Sequence, residues 1–123
     1  MYELNPETAI DIGSAEGFFV FKTAEETQAL VLGVDADVRR LFYATHQQIF
    51  GKEVRNVAFM RSDISFDYLE RLPSQDVVYC LSVVHHIMYE HGYDYALGFV
   101  KRIKNITNKE LSFLRWGIVM RRL

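Results

Sequence analysis

Short apolar runs alternate with amphipathic stretches along the 123 residues, and this alternation predicts the elements. Ala9-Ile10-Asp11-Ile12-Gly13 is a brief strand ending at glycine. A helical stretch follows from about Glu16 to Gln28, with Phe18, Phe19 and Phe21 near its start. Ala29 to Asp35 is apolar almost throughout, as expected of a strand buried on both faces. From Asp37 to Phe50, apolar residues at Val38, Leu41, Phe42, Thr45 and Ile49 form a helical stripe. Asp37 is the natural N-cap there and Gly51 the stop. Asn56 to Met60 reads as a third strand, and a short helix from Phe66 to Leu72 stops at Pro73. Asp76 to Leu81 is a fourth strand. A helix from about Tyr93 to Ile106 has its apolar face at Tyr93, Leu97, Val100 and Ile103, and Leu111 to Val119 is a candidate fifth strand. Phe18, Phe19, Phe21, Phe42 and Tyr43 are expected in the core.

Strand and helix in strict alternation predict an α/β fold: three layers, doubly wound, with a mostly parallel sheet of about five strands. Right-handed crossovers place the ligand crevice of such a sheet at the carboxyl ends of its strands. The length predicts one domain over residues 1–123. Half of the residues are hydrophobic by type, which rules out disorder. No apolar run approaches a membrane span, and the N-terminus lacks the pattern of a secretory signal. The single Cys80 excludes an internal disulfide framework and a multi-cysteine zinc site, so a reducing, cytoplasmic setting is expected. His46 and His91 lack the company a metal site needs. The net charge of −2 hides an asymmetry. Residues 1–98 carry 7 basic and 15 acidic side chains, and residues 99–123 carry 7 and 1. The acidic bulk disfavours nucleic acid as a partner.

The loops carry the chemistry. Asp11-Ile12-Gly13-Ser14-Ala15-Glu16-Gly17 follows the first strand, where small residues let a ligand approach the backbone and the next helix directs unpaired N–H groups toward it. Asp35 ends the second strand 18 residues past Gly17, close to the ~20-residue spacing at which an acid accepts ribose hydroxyls. Ser62-Asp63-Ile64 follows the third strand, where a carboxylate can accept from an adenine amino group. Three signals in order, at three successive strand ends, point to a nucleoside.

These segments resemble those of class I S-adenosylmethionine-dependent methyltransferases, whose fold is Rossmann-like. AIDIGSAEGFF is similar to their first motif, VLGVDAD to the second, MRSDI to the third, and DVVYCLSVVHHI to the end of the fourth strand, so the resemblance runs from about Thr8 to Ile87. It implies S-adenosylmethionine as cofactor. Asp11, Gly13, Ser14, Ala15, Glu16 and Gly17 would line its methionine and ribose end, and Asp35 and Ala36 would hold the ribose. Asp63 and Ile64 would contact adenine, and Leu81, Ser82 and Val83 would pass near the methyl donor. Ala15 stands where the family usually has glycine. Phe18 occupies the slot of the third glycine in a dinucleotide fingerprint, which favours the methyl donor over NAD.

Methyl transfer needs chiefly in-line positioning, with a general base only where the acceptor must lose a proton. His85 and His86 are the candidates. The family's N-P-P-Y-type clamp is absent, since this position reads Leu81-Ser82-Val83-Val84, and so is a lysine-based tetrad; both absences argue against adenine-N6 and ribose 2′-hydroxyl targets. Methyl transfer to an O or N atom of a small metabolite or of a glycan or lipid precursor is the favoured expectation, without a membrane partner. A tRNA-modifying enzyme and a non-catalytic donor-binding or dimerising module stand as alternatives, together with an inactive product. The family's sheet has seven strands, so the resemblance implies a fold cut short at the C-terminus after the fifth strand, whose exposed edge would invite a homodimer. Residues 110–123 read either as a native basic tail or as an aberrant one. With permissible codons, a one-base shift after Leu111 or Ser112 yields a continuation resembling the family's fifth strand, and the coding DNA distinguishes the two.

Overall fold

A computed structural model describes residues 5–80, 83–115 and 118–122, excluding the side chains of His85 and of residues 111–122. Strands β1 (Thr8–Ile12), β2 (Leu30–Asp35), β3 (Val57–Arg61), β4 (Gln75–Cys80), β5 (Thr107–Arg115) and β6 (Ile118–Arg122) form one sheet in the order β3-β2-β1-β4-β5-β6. The first five are parallel, and β6 returns antiparallel to β5. The chain moves outward from β1 to β3 and then crosses back to β4, so the winding reverses between β1 and β4. Crevices form outside the carboxyl ends of strands at such a reversal.

Helices α1 (Phe18–Glu26), α2 (Val38–Phe50), α3 (Phe66–Arg71), α4 (Val84–His91) and α5 (Tyr93–Asn105) make the connections. One apolar layer joins Ile10, Ile12, Val34, Val78 and Cys80 of the sheet to Leu69 of α3, Ile87 of α4 and Ala96, Phe99 and Ile103 of α5. On the opposite face Ala9, Val31, Val77 and Tyr79 pack against Val20 and Ala24 of α1. Alternation along each strand thus feeds both layers, which is why β1, β2 and β4 read as continuous apolar runs. Inside the second layer the Thr23 hydroxyl donates to the Tyr79 hydroxyl at 2.9 Å, pairing two polar groups that burial would otherwise strand.

Two helices start at side-chain caps, that of α2 at the expected residue. Asp37 caps α2 by accepting from the Arg39 N–H at 2.9 Å, and Ser65 caps α3 by accepting from the Tyr68 N–H at 3.2 Å. Gly51 ends α2, as expected. Other expectations are corrected. α4 was not foreseen: it buries Ile87 while Met88 and Tyr89 face solvent, so its sequence shows no core-facing stripe. The buried stripe of α5 is Ala96, Phe99 and Ile103; Ile103 is as expected, but the helix is turned so that Phe99 fills the core while Tyr93 and Leu97 are exposed. Among the aromatics expected in the core, Phe21 is buried and Phe19 half-buried against Tyr79, whereas Phe18, Phe42 and Tyr43 are exposed. The tail supplies two strands instead of one, so the edge of the sheet on that side is β6 and not β5.

Candidate functional site

The loop between β1 and α1 doubles back sharply. Gly13, Ala15 and Gly17 all have positive φ, at 82°, 50° and 91°. Glycine meets this demand freely; Ala15 does so against the clash of its Cβ. The Gly13 and Ser14 N–H groups both donate to the Val34 carbonyl, at 2.8 and 2.9 Å, and the Gly17 N–H donates to the Ser14 carbonyl at 2.9 Å. The start of the loop is therefore fastened to the end of β2.

Asp35 makes the second fastening. One carboxylate oxygen accepts the Ala15 N–H and the other accepts the Asp37 N–H, each at 2.8 Å. Its own carbonyl accepts the Ser62 N–H at 3.1 Å. A single residue thus holds together the loops after β1, β2 and β3, all at the carboxyl edge of the sheet.

A third feature lies beneath. The Phe59 ring of β3 fills the space over two glycines: a Cβ on Gly33 would stand 2.7 Å from it, and one on Gly17 would stand 3.0 Å away. The same Gly33 Cβ would meet the Ser14 hydroxyl at 3.0 Å, and that hydroxyl is buried with no hydrogen-bond partner. Sequence reasoning missed Phe59 and Gly33. The available signal was a glycine inside an otherwise apolar strand, which marks a close approach.

Asp11 is the electrostatic centre. It is 2% exposed, and its carboxyl is pushed up from 3.8 to about 7, first by burial and then by the negative charge of Asp35. The neighbouring Cys80 thiol is also pushed up, by burial and then by Asp11, so it stays protonated and inert.

The remaining sequence-predicted residues are distributed along the same rim. Ala36 is exposed, and its carbonyl accepts from Arg61 Nε at 3.3 Å. Asp63 follows β3 with its side chain 79% exposed, paired to the Arg61 guanidinium at 3.2 Å. Ile64 is half-buried against the layer of α3 and α5. The Glu16 carboxylate reaches Arg40 of α2 at 4.0 Å and borders a groove of about 370 Å³ between α1 and α2. Val83 precedes α4 beside the end of β4 without a side-chain cap, and His86 is exposed in the first turn of that helix. Leu81, Ser82 and the His85 side chain lie outside the described residues. Among the described residues no group of three or more His, Cys, Asp or Glu side chains is arranged to hold a metal, and no helix is long and apolar enough to cross a membrane.

This architecture recurs in solved structures. The bifunctional kinase-methyltransferase WbdD superposes with a TM-score of 0.77 at 24% identity, over 88% of this chain and 24% of its own. A SAM-dependent methyltransferase from Aquifex aeolicus gives 0.64 at 18% identity, over 87% and 55%. The fold is that of S-adenosylmethionine-dependent methyltransferases. The N-terminal domain of EvdMO1, solved in the presence of SAH and D-fucose, shares it with a TM-score of 0.72 at 16% identity, over 89% and 44%. The chain spans between about a quarter and about half of the length of these proteins. No family model and no curated protein matches the sequence.

The residues at the rim suit such a methyl donor. Each Asp35 oxygen takes one N–H and retains acceptor capacity for a ribose hydroxyl, and Gly13, half-buried at the start of the loop, adds no side chain there.

Proposed function

We propose that this chain binds S-adenosylmethionine along the rim at the ends of β1 to β4 and serves methyl transfer to an O or N atom of an acceptor. The observation that carries this reading is the Asp35 carboxylate, which fastens the glycine loop and the start of α2 while keeping acceptor sites open. In this reading the backbone from Gly13 to Gly17 lines the methionine and ribose end. Asp35 and Ala36 hold the ribose, and Asp63 and Ile64 meet the adenine. Leu81, Ser82 and Val83 flank the methyl-bearing end by resemblance. The bound donor supplies an electrophilic sulfonium methyl group, so the protein's part is to orient the acceptor in line. His86 or His85 takes a proton only where the acceptor carries one to lose.

The acceptor we favour is a small metabolite or a glycan- or lipid-linked precursor. The acidic balance of residues 1–98 supports this against nucleic acid, and the D-fucose present in the EvdMO1 structure supports a sugar-type acceptor.

Calorimetric titration tests the donor site. S-adenosylmethionine and S-adenosylhomocysteine are expected to bind and NAD to bind far more weakly. Asp35→Asn, which keeps one acceptor oxygen, is expected to cost on the order of tenfold to a hundredfold in affinity, the range for a lost buried hydrogen bond to a charged group. Equal affinity for NAD, or full affinity in the variant, refutes the reading.

A further inference from the structure

α2 is amphipathic, yet its larger apolar face points away from the sheet. It buries only Leu41 and Ala44, with Gln48 on the same side donating to the Val57 carbonyl at 3.0 Å. At 100° per residue that face lies roughly opposite the direction of His46. Around His46 the sequence reads Arg39-x-x-Phe42-Tyr43-x-x-His46-x-x-Ile49-Phe50-x-x-Glu53. Positions three and four residues to either side are all large and apolar: Tyr43 and Ile49, Phe42 and Phe50. Positions seven residues away carry opposite charges, Arg39 in the first turn and Glu53 just past the helix end. Phe42 is 74% exposed, Phe50 75%, Ile49 66% and Tyr43 54%. The His46 ring lies 4.8 Å from that of Phe50, so the face is continuous through its centre.

Such a pattern is its own complement. When two copies of α2 cross antiparallel about a two-fold axis at His46, each residue meets the one equally far on the other side of His46 in its partner. Phe42 then faces Phe50 and Tyr43 faces Ile49, as an isologous interface requires, and Arg39 approaches the end of the partner helix, which Glu53 follows. The four apolar side chains expose on the order of 500 Å² per protomer, more than half of the ~800 Å² that a stable interface buries on each partner. A patch of that size is among the largest a monomer exposes and commonly marks a functional surface. The ion pairs already present on α2 leave the face clear. Arg40 reaches Glu16 at 4.0 Å and Asp37 at 3.8 Å, and just beyond the helix Lys52 reaches Glu25 at 3.4 Å.

We propose that the outer face of α2 is a homodimer interface, occupied by the same face of a second copy of this chain in antiparallel register about His46. The interface is separate from the β6 edge of the sheet and from the donor rim, so it stands whether or not the donor reading holds.

Sedimentation velocity on the full chain, at concentrations from micromolar to several hundred micromolar, is the test. A dimer is expected for the natural sequence. Phe42→Glu, an exposed change whose retained fold is checked by circular dichroism, is expected to weaken association at least a hundredfold. Arg39→Glu and Glu53→Arg are each expected to weaken it several-fold, and the double reversal to restore it. A monomer throughout the range overturns the proposal, as does a dimer indifferent to Phe42→Glu, which would place the contact at the β6 edge. Failure of the double reversal to rescue overturns the antiparallel register. Binding of the monomeric chain to anionic lipid vesicles through this face, or its occupation by another protein, overturns the choice of occupant.

Discussion

The buried Asp11 carboxyl, held near 7, makes a pH-dependent contribution to the stability of the fold. In the unfolded chain Asp11 ionises near 3.8; in the fold, burial and then Asp35 hold its carboxyl near 7. Well below 3.8 both states keep the proton and Asp11 contributes nothing. Between pH 4 and 7 the unfolded state releases it while the folded state holds it, so stability falls as pH rises. Above about pH 8 the penalty is fully developed, on the order of 4 kcal/mol. Asp11→Asn removes the titration, so the variant is expected to gain on the natural sequence by several kcal/mol between pH 4 and 8 in urea unfolding. A difference between the two that stays constant over that range contradicts the burial argument. Ala15 carries backbone strain, with φ at 50° in a position where glycine would sit freely. The sequence marked Ala15 as a departure from the family pattern, but a motif string carries no dihedral angle and could not disclose the strained conformation.

At the scale of elements, strands were more legible than helix faces. The apolar runs of β1, β2 and β4 mark central strands, and β1 to β4 fell within one or two residues of expectation. A helix stripe says that a face is apolar but not which way it turns. Of the expected stripe Val38, Leu41, Phe42, Thr45 and Ile49, the sheet receives Leu41, joined by Ala44, while the other four are exposed. The α5 stripe was displaced for the same reason. Close packing between elements was equally invisible, since Phe59 over Gly33 and Gly17 joins three separate segments. That contact gives a direct expectation. Gly33→Ala would push the new methyl group into the Phe59 ring and is expected to destabilise by about 1–3 kcal/mol. Phe59→Leu, which vacates the space, is expected to recover part of that loss in the double variant. Strictly additive effects, read from thermal or urea unfolding, would mean that the two residues are not in contact.

For the whole molecule, strand order converts three dispersed loops into one rim. The glycine loop, Asp35 and Asp63 are separated by 18 residues or more along the chain, yet parallel pairing of β1, β2 and β3 puts their carboxyl ends side by side. The sequence motifs made that convergence legible because each sits one step past a strand. The links that make it rigid were not legible. These are the two N–H groups on the Asp35 carboxylate, the pair on the Val34 carbonyl, and Arg61 spanning the Ala36 carbonyl and Asp63. The amide spectrum of the isotopically labelled chain, titrated with S-adenosylhomocysteine, tests the central claim most directly. Saturable shifts are expected at Gly13, Ala15, Gly17, Asp35, Asp37 and Asp63, with the outer face of α2 unmoved. Saturable shifts centred elsewhere, or none at millimolar ligand, would contradict it.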